Sequence, residues 1–476
     1  MGIKVVIIGA GLAGSLLTNG LLNNSIEVNV YERDQQDPKR TGYLIRLGED
    51  ATLGFRACLS ESQVVSIHGK FSQTDVSLST APAIYSHQFR PLIDLSRLPG
   101  YTKGASINRL VLRDELMKPI KAAGRVQFGK AFSHYDIIRR ENGSERVLVH
   151  FTDGTSDQCD ILIGADGSAS KINDQVGARN LVEITSHWSF HVKGTLPLDR
   201  IQKLPKKLLE APIAVFHKGA LLYYALYIPS SGRKYAKHDI VGGKYDEKIA
   251  SFYWGINIPR EDIPYGSLSD IPDRRQLCED YIQDWAPEVY VKSQCTMHRL
   301  TSHSRNMIAT RSPEDNADDM YAAKLRASTR LPRNWRSRCQ GKSIEMGHPR
   351  VWLIGDAVHA MLPNRGQGGN QALRDCAEIL PELVKLNQQA LGENLPSSED
   401  IGKACGRYEK TMFPRAFDWV KKSGGTVADP PFPLDGMFGY MISIFASVAI
   451  PVAILACRLG QFFTSLVRSR RDAATA

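Results

Sequence analysis

The sequence predicts an α/β protein in which a parallel-sheet domain is split by an inserted antiparallel sheet and followed by a hydrophobic C-terminal segment. Three observations predict it. The β-branched run Lys4-Val5-Val6-Ile7-Ile8 enters Gly9-Ala10-Gly11-Leu12-Ala13-Gly14, and Leu16, Leu17, Leu21 and Leu22 follow at helical spacing. Aromatic-rich alternation marks residues 181–300, as in Leu222-Tyr223-Tyr224-Ala225-Leu226-Tyr227. A second buried run, Val351-Trp352-Leu353-Ile354, enters another glycine-rich turn and then a helix.

Length and composition set the frame. The 476 residues exceed one simple core and fit two or three packed units. Hydrophobic residues at 42% and charged residues at 23% exclude a disordered or collagen-like chain. The 8 cysteines are scattered, with no C-x-x-C and no paired Cys/His spacing. No metal site or disulfide scaffold is expected, and the cysteines read as those of a reducing compartment. The net charge of +10 fits nucleic acid, an anionic membrane or an anionic cofactor, and charge alone does not choose. No basic n-region with a cleavage site precedes the first strand, so no removable signal peptide is expected.

The elements follow in order. Glu27-Val28-Asn29-Val30-Tyr31-Glu32 reads as a second strand, completing a strand–turn–helix–strand unit. Residues 108–121 carry Leu112 and Leu116 one turn apart and read as a helix. Residues 147–163 read as a hairpin around Asp153-Gly154 and then a buried strand. The expected partition is 1–180 for the first part of the nucleotide domain and 181–345 for the inserted sheet, with a polar, arginine-rich loop near 301–342. Residues 346–395 return to the nucleotide domain, and 396–476 form a helical C-terminal region.

The first glycine turn has a mechanical reading. Gly9 permits the tight turn, Gly11 lets backbone approach a pyrophosphate, and Gly14 lets helix and strand pack closely. The helix N-terminus attracts phosphate, and Glu32 ends the second strand where it can accept from a ribose hydroxyl. This predicts a dinucleotide. The second turn, residues 355–375, places Asp356 as an acceptor for a sugar or ribityl hydroxyl. Gly366, Gly368 and Gly369 there offer backbone N–H groups to a ring edge or phosphate. A nicotinamide fold has no ordinary need of this remote element, whereas an extended flavin does.

With Gly164-Ala165-Asp166-Gly167-Ser168-Ala169-Ser170 as a third motif, the chain resembles the group A FAD-dependent monooxygenases, the p-hydroxybenzoate hydroxylase-like enzymes, and in particular their fungal natural-product branch. The family's D-G motif usually ends in arginine, where this chain has Lys171 and then Asn173. The resemblance implies a Rossmann-like FAD-binding domain carrying an inserted antiparallel-sheet substrate domain. It implies non-covalent FAD, NADPH or NADH as co-substrate, O2, and oxygen transfer through a flavin C4a-hydroperoxide. It also matches Arg109 to a family arginine near the FAD, and Asp166 to the motif that meets FAD and pyridine nucleotide. The same fold hosts dehydrogenases and reductases that insert no oxygen, and that alternative stays open.

Single residues carry two readings each. His359 invites a catalytic role but reads better as a brace for its loop. Arg33, beside Glu32, either approaches the adenosine and its phosphates or is solvated. Tyr224 is the candidate substrate-orienting hydroxyl, with core packing as its rival. The apolar, aromatic sheet points to a hydrophobic small-molecule substrate, a secondary metabolite such as a polyketide, terpenoid or alkaloid; no nucleic-acid partner is expected.

The C-terminal segment 437–457 contains no Asp, Glu, Lys or Arg, and as a helix would extend about 31 Å. Lys421 and Lys422 precede it, and Arg458, Arg468, Arg470 and Arg471 follow. Gly439, Ser443, Ser447 and Pro451 dilute its apolarity, which leaves a buried core helix as the rival reading. Pro451 favours a kinked or re-entrant anchor in membrane lipid over a span, with the catalytic domain facing the cytoplasm.

Overall fold

In the computed structural model, the described residues are 2–36, 44–71, 82–95, 105–141, 143–195, 208–209, 211–227, 250–286, 320–392 and 395–427, with six more inside 437–457. Five parallel strands form the sheet that bears the glycine turns. Their order across it is Val351–Leu353, Ile161–Gly164, Lys4–Ile8, Glu27–Glu32 and Val126–Phe128. Val5, Val6, Ile7, Ile161, Leu162 and Ile163 are fully buried. That is why these strands read as unbroken apolar runs: a parallel strand is covered on both faces. Helix Leu12–Asn23 packs against the long helix Gly368–Leu391, and helix Ser398–Lys422 packs against that one in turn.

Seven strands form a second sheet, in the order Tyr321–Ala323, His187–Thr195, Ser251–Pro259, Ala220–Tyr227, Ile213–His217, Ala83–Ser86 and Pro91–Asp94. All its pairs are antiparallel except Ile213–His217 with Ala83–Ser86. Its last two strands come from within the 1–180 stretch, so the sheet is built from both sides of the expected boundary. Phe190, Val192, Leu222, Tyr224, Trp254 and Ile256 form a separate apolar core on one face.

The hairpin at 147–163 is present as Glu145–Phe151 and Ser156–Cys159, and Phe132–Arg139 completes a three-stranded sheet. Part of the polar stretch near 301–342 lies outside the described residues. The rest is not all loop: Tyr321–Ala323 and Arg326–Ser328 are strands and Trp335–Cys339 is a short helix. Polar alternation on short edge strands gives a weak periodic signal, which is why composition alone reads as loop. The segment 437–457 lies mostly outside the described residues. Its described members are helical, and Met441, Ile444, Phe445 and Val452 are exposed. Among the described residues no helix is long and apolar enough to cross a membrane.

Candidate functional site

The first glycine turn sits at the C-terminal end of the central strand. Gly9 has φ +106°, a conformation only glycine adopts without strain, and a Cβ there would overlap the Ala165 carbonyl. A Cβ at Gly14 would overlap the Gly9 carbonyl oxygen, while one at Gly11 would meet no protein atom within 4 Å. Gly9 and Gly14 are therefore fixed by packing, and Gly11 lines open space that a ligand can approach. Helix Leu12–Asn23 begins at Gly11 with no side-chain cap, so its first N–H groups have no local side-chain acceptor.

Glu32 closes the base of this turn. Its Oε2 accepts from Ala10 N–H at 3.0 Å and from Arg113 at 3.2 Å, and its Oε1 accepts from Asp34 N–H at 3.1 Å. Arg113 also donates to the Ala10 carbonyl at 2.7 Å. Sequence reasoning missed Arg113, although its signal was present: it lies one helical turn beyond Arg109, on the same face. Arg33 is two-thirds exposed, and its nearest described carboxylate is Asp34 at 3.9 Å.

The second glycine turn comes to the same place. A Cβ at Gly369 would touch Leu12 Cδ1, and one at Gly368 would approach Asp356 Oδ1 at 3.7 Å. Gly366 has φ +61°, and helix Gly368–Leu391 starts just beyond it, again without a side-chain cap. Two helix N-termini thus meet beside Asp356. Asp356 is reached by solvent yet surrounded by protein, so incomplete hydration raises its carboxyl above the ordinary range, against the nearby His359 and Arg109 charges. An open acidic acceptor beside two donor-rich helix ends fits the hydroxyls and phosphates of FAD.

Asp166 is drawn into its own loop. It accepts from Ser170 Oγ at 2.6 Å and from Lys171 N–H at 3.0 Å, and burial holds its carboxyl above the usual range. Asn173 is buried and bonds to Asn180 and to the Ala357 carbonyl, both at 2.8 Å. It therefore ties this motif to the Asp356 loop.

Behind Asp356 lies a buried ionic cluster. His359 Nε2 is 2.6 Å from Asp375 Oδ2, which also accepts from Gly355 N–H at 2.8 Å. Arg415, from helix Ser398–Lys422, donates to Asp375 Oδ1 at 2.7 Å and to Glu378 at 2.9 Å. Burial alone would raise the Asp375 carboxyl, but the His359 and Arg415 charges outweigh it and hold it below its ordinary range. His359 is a brace, and Asp375 and Arg415 fix it. Their roles are invisible in sequence because Arg415 arrives from a separate helix.

The seven-stranded sheet presents two unlike faces. Tyr224 is wholly buried in the apolar core, and its hydroxyl has no hydrogen-bond partner among the described residues. The opposite face carries a polar chain. Ser189 donates to Asn257 Oδ1 at 2.5 Å, so its oxygen accepts from His191 Nε2 at 2.8 Å. That leaves His191 Nδ1 to accept from the Tyr253 hydroxyl at 2.8 Å. Burial, with Lys193 adding, lowers His191 to about 3 and keeps it neutral. Strands Leu44–Leu47 and Ala105–Asn108 pack on Ala220–Tyr227, and Asn108 donates to Ser251 at 2.9 Å. Asn108 is also the N-cap of the helix that starts with Arg109, so the sheet is anchored to the start of that helix.

Fold and site together define an FAD-binding α/β flavoprotein. The family profile described as FAD binding domain matches residues 300–406. The chain is 27% identical over 451 residues to the dual O-methyltransferase/FAD-dependent monooxygenase elcB of Phaeosphaeria nodorum, covering 88% of this chain and 45% of that protein. It is 24% identical over 437 residues to the FAD-dependent monooxygenase thnD of Trichoderma harzianum, covering 88% and 91%. It thus spans about half of the first relative and nearly all of the second. In fold it is similar to a putative FAD-containing monooxygenase from Photorhabdus luminescens, with a TM-score of 0.63 at 20% identity over 89% of this chain and 98% of that one. The chain is thus similar in sequence and fold to FAD-dependent monooxygenases, fungal enzymes among them.

Proposed function

We propose that the protein uses NAD(P)H and O2 to hydroxylate or epoxidise a hydrophobic small molecule, a secondary metabolite. The observation that carries this reading is the meeting of two uncapped helix N-termini beside the open carboxylate of Asp356. Bound FAD supplies the redox and oxygen-transfer chemistry. The residues supply position and charge. Gly9, Gly11 and Gly14 admit the pyrophosphate, Glu32 takes the adenosine ribose, and Arg33 and Arg109 face phosphate charge. Asp356 takes the ribityl chain, Asp166 orders the loop behind it, and the backbone at Gly366, Gly368 and Gly369 stabilises negative charge on the ring. The cofactor is held without a covalent bond. Tyr224, the sequence candidate for a substrate-orienting hydroxyl, lies wholly buried in the apolar core, so the neutral His191–Tyr253 pair on the opposite face is the polar contact offered to substrate.

The uncharged segment 437–457, with Met441, Ile444, Phe445 and Val452 exposed, supports a re-entrant anchor in membrane lipid, the catalytic domain facing the cytoplasm. Sedimentation tests it: full-length protein left in a detergent-free high-speed supernatant rejects the anchor.

Oxygen incorporation tests the reaction. The FAD-loaded enzyme is given NADPH and candidate substrates under 18O2. Substrate-stimulated oxygen uptake with one labelled atom in the product supports the monooxygenase. Product without label supports a dehydrogenase of the same fold.

A further inference from the structure

The three-stranded sheet carries a cluster that plays no part in the flavin site. His134 and Asp136 alternate onto one face of strand Phe132–Arg139, and His150 lies directly opposite His134 on strand Glu145–Phe151. The ladder shifts register between Phe132 and His134, a bulge that re-aims the side chains beside it. The two imidazoles stack, with centroids 4.4 Å apart and planes 8° from parallel. His150 Nε2 is 2.9 Å from Asp136 Oδ2, and His134 Nε2 is 4.0 Å from the same oxygen. One ligand atom from each residue lies within 4.8 Å of the other two.

We propose that His134, Asp136 and His150 bind one divalent transition-metal ion of the zinc class. A tetrahedral ion with bonds of about 2.0–2.1 Å sets its ligand atoms roughly 3.3 Å apart. The observed 2.9 and 4.0 Å bracket that value, and the half-exposed side chains of His134 and Asp136 can turn, His134 leaving its stack on His150, so that both imidazole lone pairs meet the ion. Ser133 Oγ stands 3.1 Å from His134 Nδ1, engaging that nitrogen and leaving Nε2 for the ion. Two imidazoles and one carboxylate suit zinc, cobalt or nickel rather than calcium or magnesium, and water completes the shell. The ion would clamp the edge strand Phe132–Arg139 to its neighbour. The cysteine spacing gave no hint of it, because the site is made of histidines joined by strand register.

The test uses tag-free, chelator-treated full-length protein carrying FAD. Titration with zinc chloride should show one saturable site by calorimetry, and zinc should raise the unfolding midpoint. His134→Ala/His150→Ala should weaken that site at least tenfold and abolish the zinc-dependent shift, with the flavin spectrum unchanged. Asp136→Asn, which keeps the side-chain shape, should weaken binding in the same direction. Equal zinc binding by wild type and the double-histidine variant, or no saturable binding by wild type, overturns the proposal.

Discussion

The two large sheets offer different means of recognition. The parallel sheet works through backbone: glycines that permit close approach, helix ends that supply N–H donors, and one acid at each turn. The seven-stranded sheet presents side chains instead, with an apolar face around Tyr224 and a polar face built on Ser189, His191, Tyr253 and Asn257. Backbone recognition needs a fixed local pattern. Side-chain recognition needs only register, and different sequences can meet it.

Substitutions that break the backbone device should have the largest effects. Gly14→Val drives a side chain into the Gly9 carbonyl, which cannot move without losing the turn. It should cost more than about 3 kcal/mol and leave little flavin-bearing soluble protein, read from flavin absorbance per protein after gel filtration. A yellow, monodisperse Gly14→Val protein would show that the helix has room the packing denies.

The buried brace comes next. Arg415→Ala leaves Asp375 charged without its guanidinium partner and should cost about 3–5 kcal/mol in denaturant unfolding. Because the folded Asp375 carboxyl is depressed, its contribution is full above the unfolded value near 3.9 and is lost as pH falls through the lower folded value. Asp375→Asn should flatten that acid limb.

Glu32→Ala removes three hydrogen bonds at the turn as well as the proposed ribose acceptor. FAD affinity should fall by about 1.5–3 kcal/mol, roughly 10- to 150-fold, without global unfolding. Retention of full flavin through gel filtration would remove Glu32 from the site.

Smaller effects probe the second sheet. Folded His191 titrates at about 3 against about 6.5 when unfolded, so the unfolded chain binds one more proton between those values. Stability should decline as pH falls through that window, by on the order of 1 kcal/mol per unit, and His191→Phe should reduce the slope. Tyr224→Phe deletes a buried hydroxyl that has no partner among the described residues, and should change stability by about 1 kcal/mol or less, toward greater stability. Turnover separates its two roles: unchanged rates mark a core residue, whereas a selective loss of substrate-coupled oxygen uptake marks a substrate contact.

The fold was legible where physics is local. Val5, Val6 and Ile7 are buried on both faces and announce a parallel strand, and the burial of Leu112 and Leu116 announces a helix. The glycine turns were legible for the same reason, since positive φ and close packing exclude other residues. What could not be read depended on distant pairing. Arg415 reaches Asp375 from another helix, Asn108 reaches Ser251 from another sheet, and Ala83–Ser86 and Pro91–Asp94 join a sheet whose other strands come much later. Tyr224 shows the limit most clearly: alternation separated its face from that of Tyr223, but only the packed helices and strands reveal which face is core.

The strand order also has a consequence in time. The central strand Lys4–Ile8 pairs on one side with Ile161–Gly164, whose own outer neighbour is Val351–Leu353. At about 5–20 residues per second, the ribosome takes on the order of 20–70 s to supply that last strand after the first has emerged. Through that interval the first glycine turn lacks the Asp356 loop that closes beside it, so stable flavin capture has to wait until that loop has emerged. Nascent chains stalled before Val351 should therefore hold no flavin, and their unpaired strand edges should make them clients of chaperones.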